Sequence, residues 1–384
     1  MYMGDIAGID YVTQALAQDF ARTAAHHDAT GAFPFDNIER LRQANLPGLV
    51  TAREFGGREA GLAQALAVVN TIAQGEPSTA LVLAQQYLFH AQLRRNPNWT
   101  EAMRAKVARS AVVDGAFANN FRVEPDLGTP VRGGMPATIA RKVDGGWSIS
   151  GHKIFSTGAP VLTWNAIWAR TDEATPRVGT FLVPRGTKGL TIVETWDHLG
   201  MRASGSHDAL LEDVIVPDDH AVDIRLPAAW AEVDPAAAAW PALLFATVYD
   251  GVARAARNWL VTFLKTRTPA NLGAPLSSLP RMQEAVGEID ALLQTNRLLL
   301  GLADKVDQGA SPPPHESFLA KYTINANAIA AVQKAVEISG NPGLTRGNPL
   351  ERHLRDVLCA RVHSPQADSV LIGAGKMSLG VGAG

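Results

Sequence analysis

Between Val113 and Leu226 the chain changes period, and no other feature limits its fold as much. On either side apolar residues recur at helical spacing; inside, short alternating runs are punctuated by Gly and Pro. Ahead of this island, Ile38, Leu41 and, past the next turn, Leu46 mark helical faces. Breaks fall at Asn45-Leu46-Pro47-Gly48 and Phe55-Gly56-Gly57, and Ser78-Thr79-Ala80 can start a helix carrying Gln85, Gln86, Tyr87 and His90. Within the island, Thr138 to Val143 alternates, Asp144-Gly145-Gly146 forms a three-residue loop, and Trp147-Ser148-Ile149-Ser150 completes a hairpin. Ile167–Arg170, Thr180–Pro184 and Val214–Pro217 read as further short strands, which predicts a small antiparallel barrel or sandwich.

Beyond Pro227 the helical period returns. Ala242 to Lys265 forms one helix, Met282, Val286, Ile289, Leu293 and Leu300 give a second its apolar face, and Leu319 to Ser339 forms a third. Gly340-Asn341-Pro342-Gly343 ends that helix, and Glu351 to Val362 makes a fourth, stopping before Pro365. The expectation is an α+β multidomain protein: an N-terminal helical domain over 1–112, a central antiparallel β-barrel domain over 113–226, and a C-terminal four-helix bundle over 227–384. A chain of 384 residues exceeds what one core usually holds, which agrees.

Composition excludes several classes. A net charge of −2 gives no electrostatic reason to expect nucleic acid or an anionic membrane as partner. The lone cysteine, Cys359, cannot form an internal disulfide or a thiolate metal site, and fits a reducing compartment. The most apolar window, Ala236 to Tyr249, is shorter than the roughly 20 residues a membrane helix needs. Met1-Tyr2-Met3-Gly4-Asp5 opens no basic-then-apolar leader, so a cytoplasmic protein is expected.

The common chemical motifs are missing: G-x-G-x-x-G after a strand, G-x-x-x-x-G-K-[ST], H-E-x-x-H and G-x-S-x-G. His26-His27-Asp28 reads as a solvated helix face. What remains are polar residues on turns. In Gly151-His152-Lys153-Ile154-Phe155-Ser156-Thr157-Gly158, Phe155 offers apolar area to a flat cofactor and Thr157 a hydrogen bond to a ring nitrogen; an ordinary turn is the alternative. Glu124-Pro125-Asp126-Leu127-Gly128-Thr129 is suited to placing backbone amides near an anion.

These turns, taken in order, resemble the acyl-CoA dehydrogenase superfamily of flavoenzymes over nearly the whole chain. Glu124-Pro125 with Gly128-Thr129 resembles TEPxAGSD; Gly151, Lys153, Phe155 and Thr157 resemble GxKxWITNG; Gly200-Met201-Arg202-Ala203-Ser204 with Glu212 to Pro217 resembles LGxRxS and the strand after it. Arg267, Gly273 and Gln283 resemble the Arg…FG…Q stretch. Glu337, Gly340 and Gly343 resemble Q-x-x-GGxG with two replacements, and Arg355-Asp356 the C-terminal R-D pair. The resemblance implies a flavin, either FAD or reduced FMN, between the β domain and the bundle. Phe155, Ser156 and Thr157 would meet its ring and Thr129 its phosphates. Arg267, Gln283, Glu337, Gly340 and Gly343 would reach the dinucleotide of a neighbouring subunit in a homodimer or homotetramer.

One departure bears on the reaction. The family carries its catalytic glutamate in a segment that corresponds to Val362-His363-Ser364-Pro365-Gln366, so Ser364 stands in its place. Some members carry it near the first bundle helix instead, where no carboxylate lies between Trp240 and Tyr249. The dibenzothiophene monooxygenase-like branch dispenses with that base. Its members take reduced flavin from a partner reductase, form a C4a-hydroperoxide with oxygen, and oxygenate a small-molecule substrate. By resemblance to that branch Asn120, Thr157 and His363 line the oxygen site, and His90 enters from the N-terminal domain. A histidine able to share a proton near neutral pH suits the task. The alternatives are a helix-terminal role for His363, a structural role for His90 and a turn role for Asn120. The resulting expectation is a two-component flavin-dependent monooxygenase. An acyl-CoA dehydrogenase or oxidase with its base relocated to Asp250 or Glu337, and a non-catalytic flavin or acyl-CoA binding protein, stay open.

Overall fold

The computed structural model describes residues 3–126, 134–230 and 235–381. Five helices come first: α1 (Met3–Thr30), α2 (Phe35–Gln43), α3 (Leu62–Gly75), α4 (Pro77–Arg95) and α5 (Glu101–Val113). Glu76, in extended conformation, separates α3 from α4, and its carboxylate accepts the amides of Ser78 at 3.1 Å and Thr79 at 2.6 Å. These are donors that a helix start otherwise leaves orphaned. From Pro77 to Ala91 every residue of α4 except Gln85 is buried, so α4 is an internal strut rather than an amphipathic surface helix. Its buried Gln86 is fully engaged: the amide nitrogen donates to the carbonyls of Pro47 and Ala116, and the oxygen accepts from Ala118 N. That anchors the entry to the sheet.

The middle of the chain supplies β1 (Phe117–Phe121), β2 (Ile139–Val143), β3 (Gly146–Ser156), β4 (Leu162–Thr171), β5 (Val178–Pro184), β6 (Leu190–Val193), β7 (His207–Pro217) and β8 (Ala221–Arg225). They form one sheet in the order β6-β7-β3-β2-β4-β5-β8, with β1 on β4. The sheet curls until Trp147 of β3 meets Phe181 of β5, their ring centroids 5.4 Å apart. It is not wholly antiparallel as expected: β1 and the start of β2 both run parallel to β4, occupying successive parts of it. The β2–β3 turn is also shorter than the three residues expected. Only Asp144 and Gly145 turn, with Gly145 at φ +68°, and Gly146 already pairs with Val143. A side chain at Gly146 would meet the Val216 carbonyl at 2.1 Å.

The bundle comprises α6 (Pro235–Thr266), α7 (Pro280–Leu300), α8 (Leu302–Asp307), α9 (Pro314–Ser339), α10 (Asn341–Leu344), α11 (Leu350–Leu358) and α12 (Ala367–Ser378). α6 starts before Ala242, running through Pro241. A proline there forfeits a helical hydrogen bond, and the buried Ala238, Ala239 and Trp240 compensate by packing. α11 stops at Leu358 rather than Val362 and gives way to a 3₁₀ turn at Cys359–Arg361. Side-chain bonds fix the directions of the long helices. Asp290 of α7 pairs with Arg257 and Asn296 with Asp250, while Glu288 pairs with Lys334 and Asn296 with Asn327. Hence α7 is antiparallel to α6 and α9, and α6 and α9 run the same way. No helix among the described residues is long and apolar enough to cross a membrane.

The turn at Gly200–Ser204 joins all three parts. Arg202 Nε donates to Asp28 O of α1 at 2.7 Å, and Met201 N donates to Asp356 Oδ1 of α11 at 2.6 Å. A Cβ on Gly200 would lie 2.3 Å from the Arg355 carbonyl. Asp28 also takes a two-pronged pair from Arg355, at 2.8 and 2.6 Å, so it is no solvated face as its sequence context suggests. Its partner comes from α11, a part of the chain more than 300 residues away.

Candidate flavin site and C-terminal histidine

β3 ends in a tight turn that gathers small polar groups. Thr157, 6% exposed, has its Oγ1 2.9 Å from Ser206 Oγ, which is 2.7 Å from Ser204 Oγ. Asn119 of β1 donates from Nδ2 to the Thr157 carbonyl at 2.9 Å. Ser156 Oγ is buried and has no partner among the described residues. Gly158, at φ +77°, lies against Val82 of α4, which explains why glycine stands there. Phe155 is held at φ +58° with half its surface exposed. It meets Trp196 and His198 edge-on, and those two rings stack at 3.6 Å. The result is an aromatic cluster beside a chain of hydroxyls. Asn120, next to Asn119, donates to Gln92 Oε1 of α4 at 3.1 Å.

The C-terminal loop forms a second group. His363 stacks on Phe245 of α6, centroids 4.3 Å apart, and its Nδ1 lies 2.9 Å from the hydroxyl of Tyr249, one helical turn further along. From α9, Lys321 Nζ donates to the carbonyls of His363 at 2.6 Å and Pro365 at 2.9 Å. Burial, reinforced by the Lys321 charge, pushes the His363 imidazole down to about 3, so it is neutral throughout the physiological range. Burial likewise pushes the Lys321 ammonium down to about 7. His363 is thus a fixed, neutral imidazole rather than a charged helix cap.

The remaining expected residues fall elsewhere. His90 is buried, its Nδ1 3.2 Å from Thr51 Oγ1, beside a cavity of about 140 Å³ that Phe55 and Arg104 also line. Residues two positions apart on a helix point about 200° away from each other, so Gln92 and not His90 meets Asn120. Thr129 lies outside the described residues. Gln283 donates to Ser277 O, Glu337 pairs with Lys334 and is exposed, and Arg267 is exposed after α6. With Gly340 and the buried Gly343 they share one end of the bundle. Lys321, beside His363, is 16 residues from Glu337 along α9, roughly 24 Å at 1.5 Å per residue. Asp250 is fully buried and bonded to Asn70, Arg254 and Asn296, which removes it as a relocated base. The exposed Glu337 fares no better at that distance. Asp356 is lifted to about 7 by burial, and its oxygen is engaged by Met201 N.

Gln92, Trp196, His198, Phe245, Tyr249 and Lys321 carry no motif that singles them out. The only sequence signal was Lys321 itself, a lysine on a face shared with Ser317, Ala320, Ile324 and Ala328, all buried.

Family models match in order: the acyl-CoA dehydrogenase N-terminal domain over residues 8–107, the middle domain over 123–214 and the C-terminal domain over 243–366. The chain belongs to the acyl-CoA dehydrogenase family. Among relatives in this family, a putative acyl-CoA dehydrogenase of Bacillus subtilis is 33% identical, the match covering 93% of this chain and 92% of the relative. L-evernosamine nitrososynthase of a Micromonospora species is 28% identical over 87% of this chain and 80% of its own. Among solved structures, KijD3 in complex with FMN and a dTDP-linked amino keto sugar superposes with a TM-score of 0.84 at 27% identity. That match covers 100% of this chain and 95% of KijD3. Butyryl-CoA dehydrogenase of Megasphaera elsdenii, 22% identical, shares the fold with a TM-score of 0.85 over 97% of this chain and 98% of its own.

Proposed function

We propose that this protein is a flavin-dependent monooxygenase working with a separate reductase. The observation that carries this reading is His363: a neutral imidazole, pinned by Tyr249 and stacked on Phe245, on the loop where the family resemblance implies a catalytic carboxylate. The relatives named as nitrososynthases and the FMN-bound neighbour support it.

The residues at the end of β3 suit a flavin. The half-exposed Phe155, braced edge-on by Trp196 and His198, offers apolar aromatic area, the hydroxyls of Thr157 and Ser206 offer donors, and the orphaned Ser156 Oγ lacks a partner that a bound group could supply. Reduced flavin, as FMN or FAD, would supply two electrons and the centre at which oxygen is activated. The chain's own part is to donate hydrogen bonds from Asn120, Thr157 and the His363 ring, and to exclude water. Arg267, Gln283, Glu337, Gly340 and Gly343, far from His363 in the same chain, would serve a dinucleotide on a neighbouring subunit. Thr129 would meet a phosphate.

A second reading, acyl-CoA dehydrogenase or oxidase, is favoured by the 33% identical Bacillus relative. One experiment separates them. Protein saturated anaerobically with reduced FMN is mixed with oxygenated buffer and followed by absorbance. A near-ultraviolet band that rises and decays before oxidised flavin appears is expected. Direct reoxidation, together with bleaching of bound FAD by an acyl-CoA, would overturn the proposal; inertness in both assays would leave a binding protein.

A further inference from the structure

We infer that Tyr249 is a positioning residue that fixes the His363 ring in one tautomer, with Nδ1 as acceptor and the proton on Nε2. The inference deepens the oxygenase reading and rests on it for its functional consequence.

The argument starts from the hydroxyl. Tyr249 is 1% exposed, and its hydroxyl has a single hydrogen-bond partner among the described residues, Nδ1 of His363 at 2.9 Å. A hydroxyl both donates and accepts. Were Nδ1 the donor, the phenolic proton would be left buried without an acceptor, an arrangement folded proteins avoid. With the phenol donating, its proton is satisfied and Nδ1 must be unprotonated. Burial, aided by the carboxylate of Asp356 and by Cys359, holds the phenol well above its ordinary range, so its proton stays in place. A neutral imidazole accepting at Nδ1 carries its proton at Nε2.

The surrounding contacts remove the ring's other freedoms. Stacking on Phe245, 19° from parallel, sets its plane, and Lys321 clamps the carbonyls on both sides of Ser364. Nε2 is the ring nitrogen without a partner among the described residues, and it is not sealed from solvent. The assembly therefore presents one N–H donor of fixed direction, as stabilising a developing negative charge on oxygen requires. Phe245 and Tyr249 are four residues apart on α6, so one helix face both stacks the ring and chooses its proton.

Selective ¹⁵N labelling of histidine in the full-length protein tests this, with His363→Gln identifying the resonances of position 363. The expected result is an unprotonated Nδ1 and protonated Nε2 in the natural protein, and mixed tautomers in Tyr249→Phe. Turnover with reduced FMN should fall roughly tenfold in that variant, a fraction of what general acid–base groups contribute, with flavin affinity unchanged. A protonated Nδ1 in the natural protein, or an identical pattern in Tyr249→Phe, would overturn the inference. If the tautomer shifts while oxygen-dependent turnover does not, the positioning role stands and the oxygenase reading fails. A merely structural tyrosine would lower the melting temperature without moving the tautomer.

Discussion

Among the described residues two lysines are buried almost completely, and they are buried in opposite ways. Lys153, 0% exposed, on β3, donates to Glu124 Oε1 at 2.6 Å and also to the Trp168 carbonyl. Glu124 is in turn held by the amides of Ala137 and Thr138 and the Thr138 hydroxyl. Lys321, 1% exposed, on α9, donates to two backbone carbonyls and to no carboxylate among the described residues. The first is a closed ion pair locking β3 to the segment after β1. The second is an ammonium lodged under the loop that carries His363, and a buried charge without a counter-charge is tolerated only where hydrogen bonds replace its hydration. Burial pushes both below the usual lysine range, Lys153 to about 8 against the pull of Glu124 and Lys321 further, to about 7. A closed pair stabilises; an open charge holds a loop.

The contrast can be broken from either side. Lys153→Met should have the largest effect, because it strands a buried carboxylate: about 3–5 kcal/mol of stability lost, read from chemical denaturation. A loss below that of Lys321→Met would remove the distinction. Lys321→Met should cost about 1–3 kcal/mol, the penalty for two carbonyls losing a donor, and should loosen His363 on its loop.

The second variant also carries a pH signature. A folded value of about 7 lies below the unfolded lysine value of about 10.4. Below pH 7 both states are protonated and the burial penalty is present in full; from there to about 10.4 the unfolded chain holds more protons, so stability rises with pH. The natural protein should therefore gain on Lys321→Met across that window, by at most about 1.4 kcal/mol per pH unit. A flat difference would show that Lys321 stays charged. Smallest of all, Lys142→Ala removes an exposed partner of Asp218 and should change stability by less than about 0.5 kcal/mol, which calibrates what an unburied lysine contributes.

Which of these lysines would matter was not readable in advance. Lys153 was visible inside a family-like motif, yet its role emerged as a buried pair with Glu124, itself read as part of an anion-binding turn. His363 was legible because it sits beside the position of a missing glutamate. Its partners were not, since Tyr249 and Lys321 are 114 and 42 residues away and belong to other helices. His90 shows the converse: expected at the same site from its place on α4, it faces Thr51, about 200° around the helix from Gln92.

The sequence by itself determined the order of helical, β and helical blocks, and the family. Those follow from local period and from glycines whose backbone geometry is set by neighbours in the chain, such as Gly145. The parallel placement of β1 on β4, the pairing of Asp28 with Arg355 and the fixing of His363 between Phe245, Tyr249 and Lys321 were decided only by tertiary structure. The physical reason is the same for each. A hydrogen bond or a buried charge depends on what lies across the contact, and no periodicity along the chain encodes the residue on the other side.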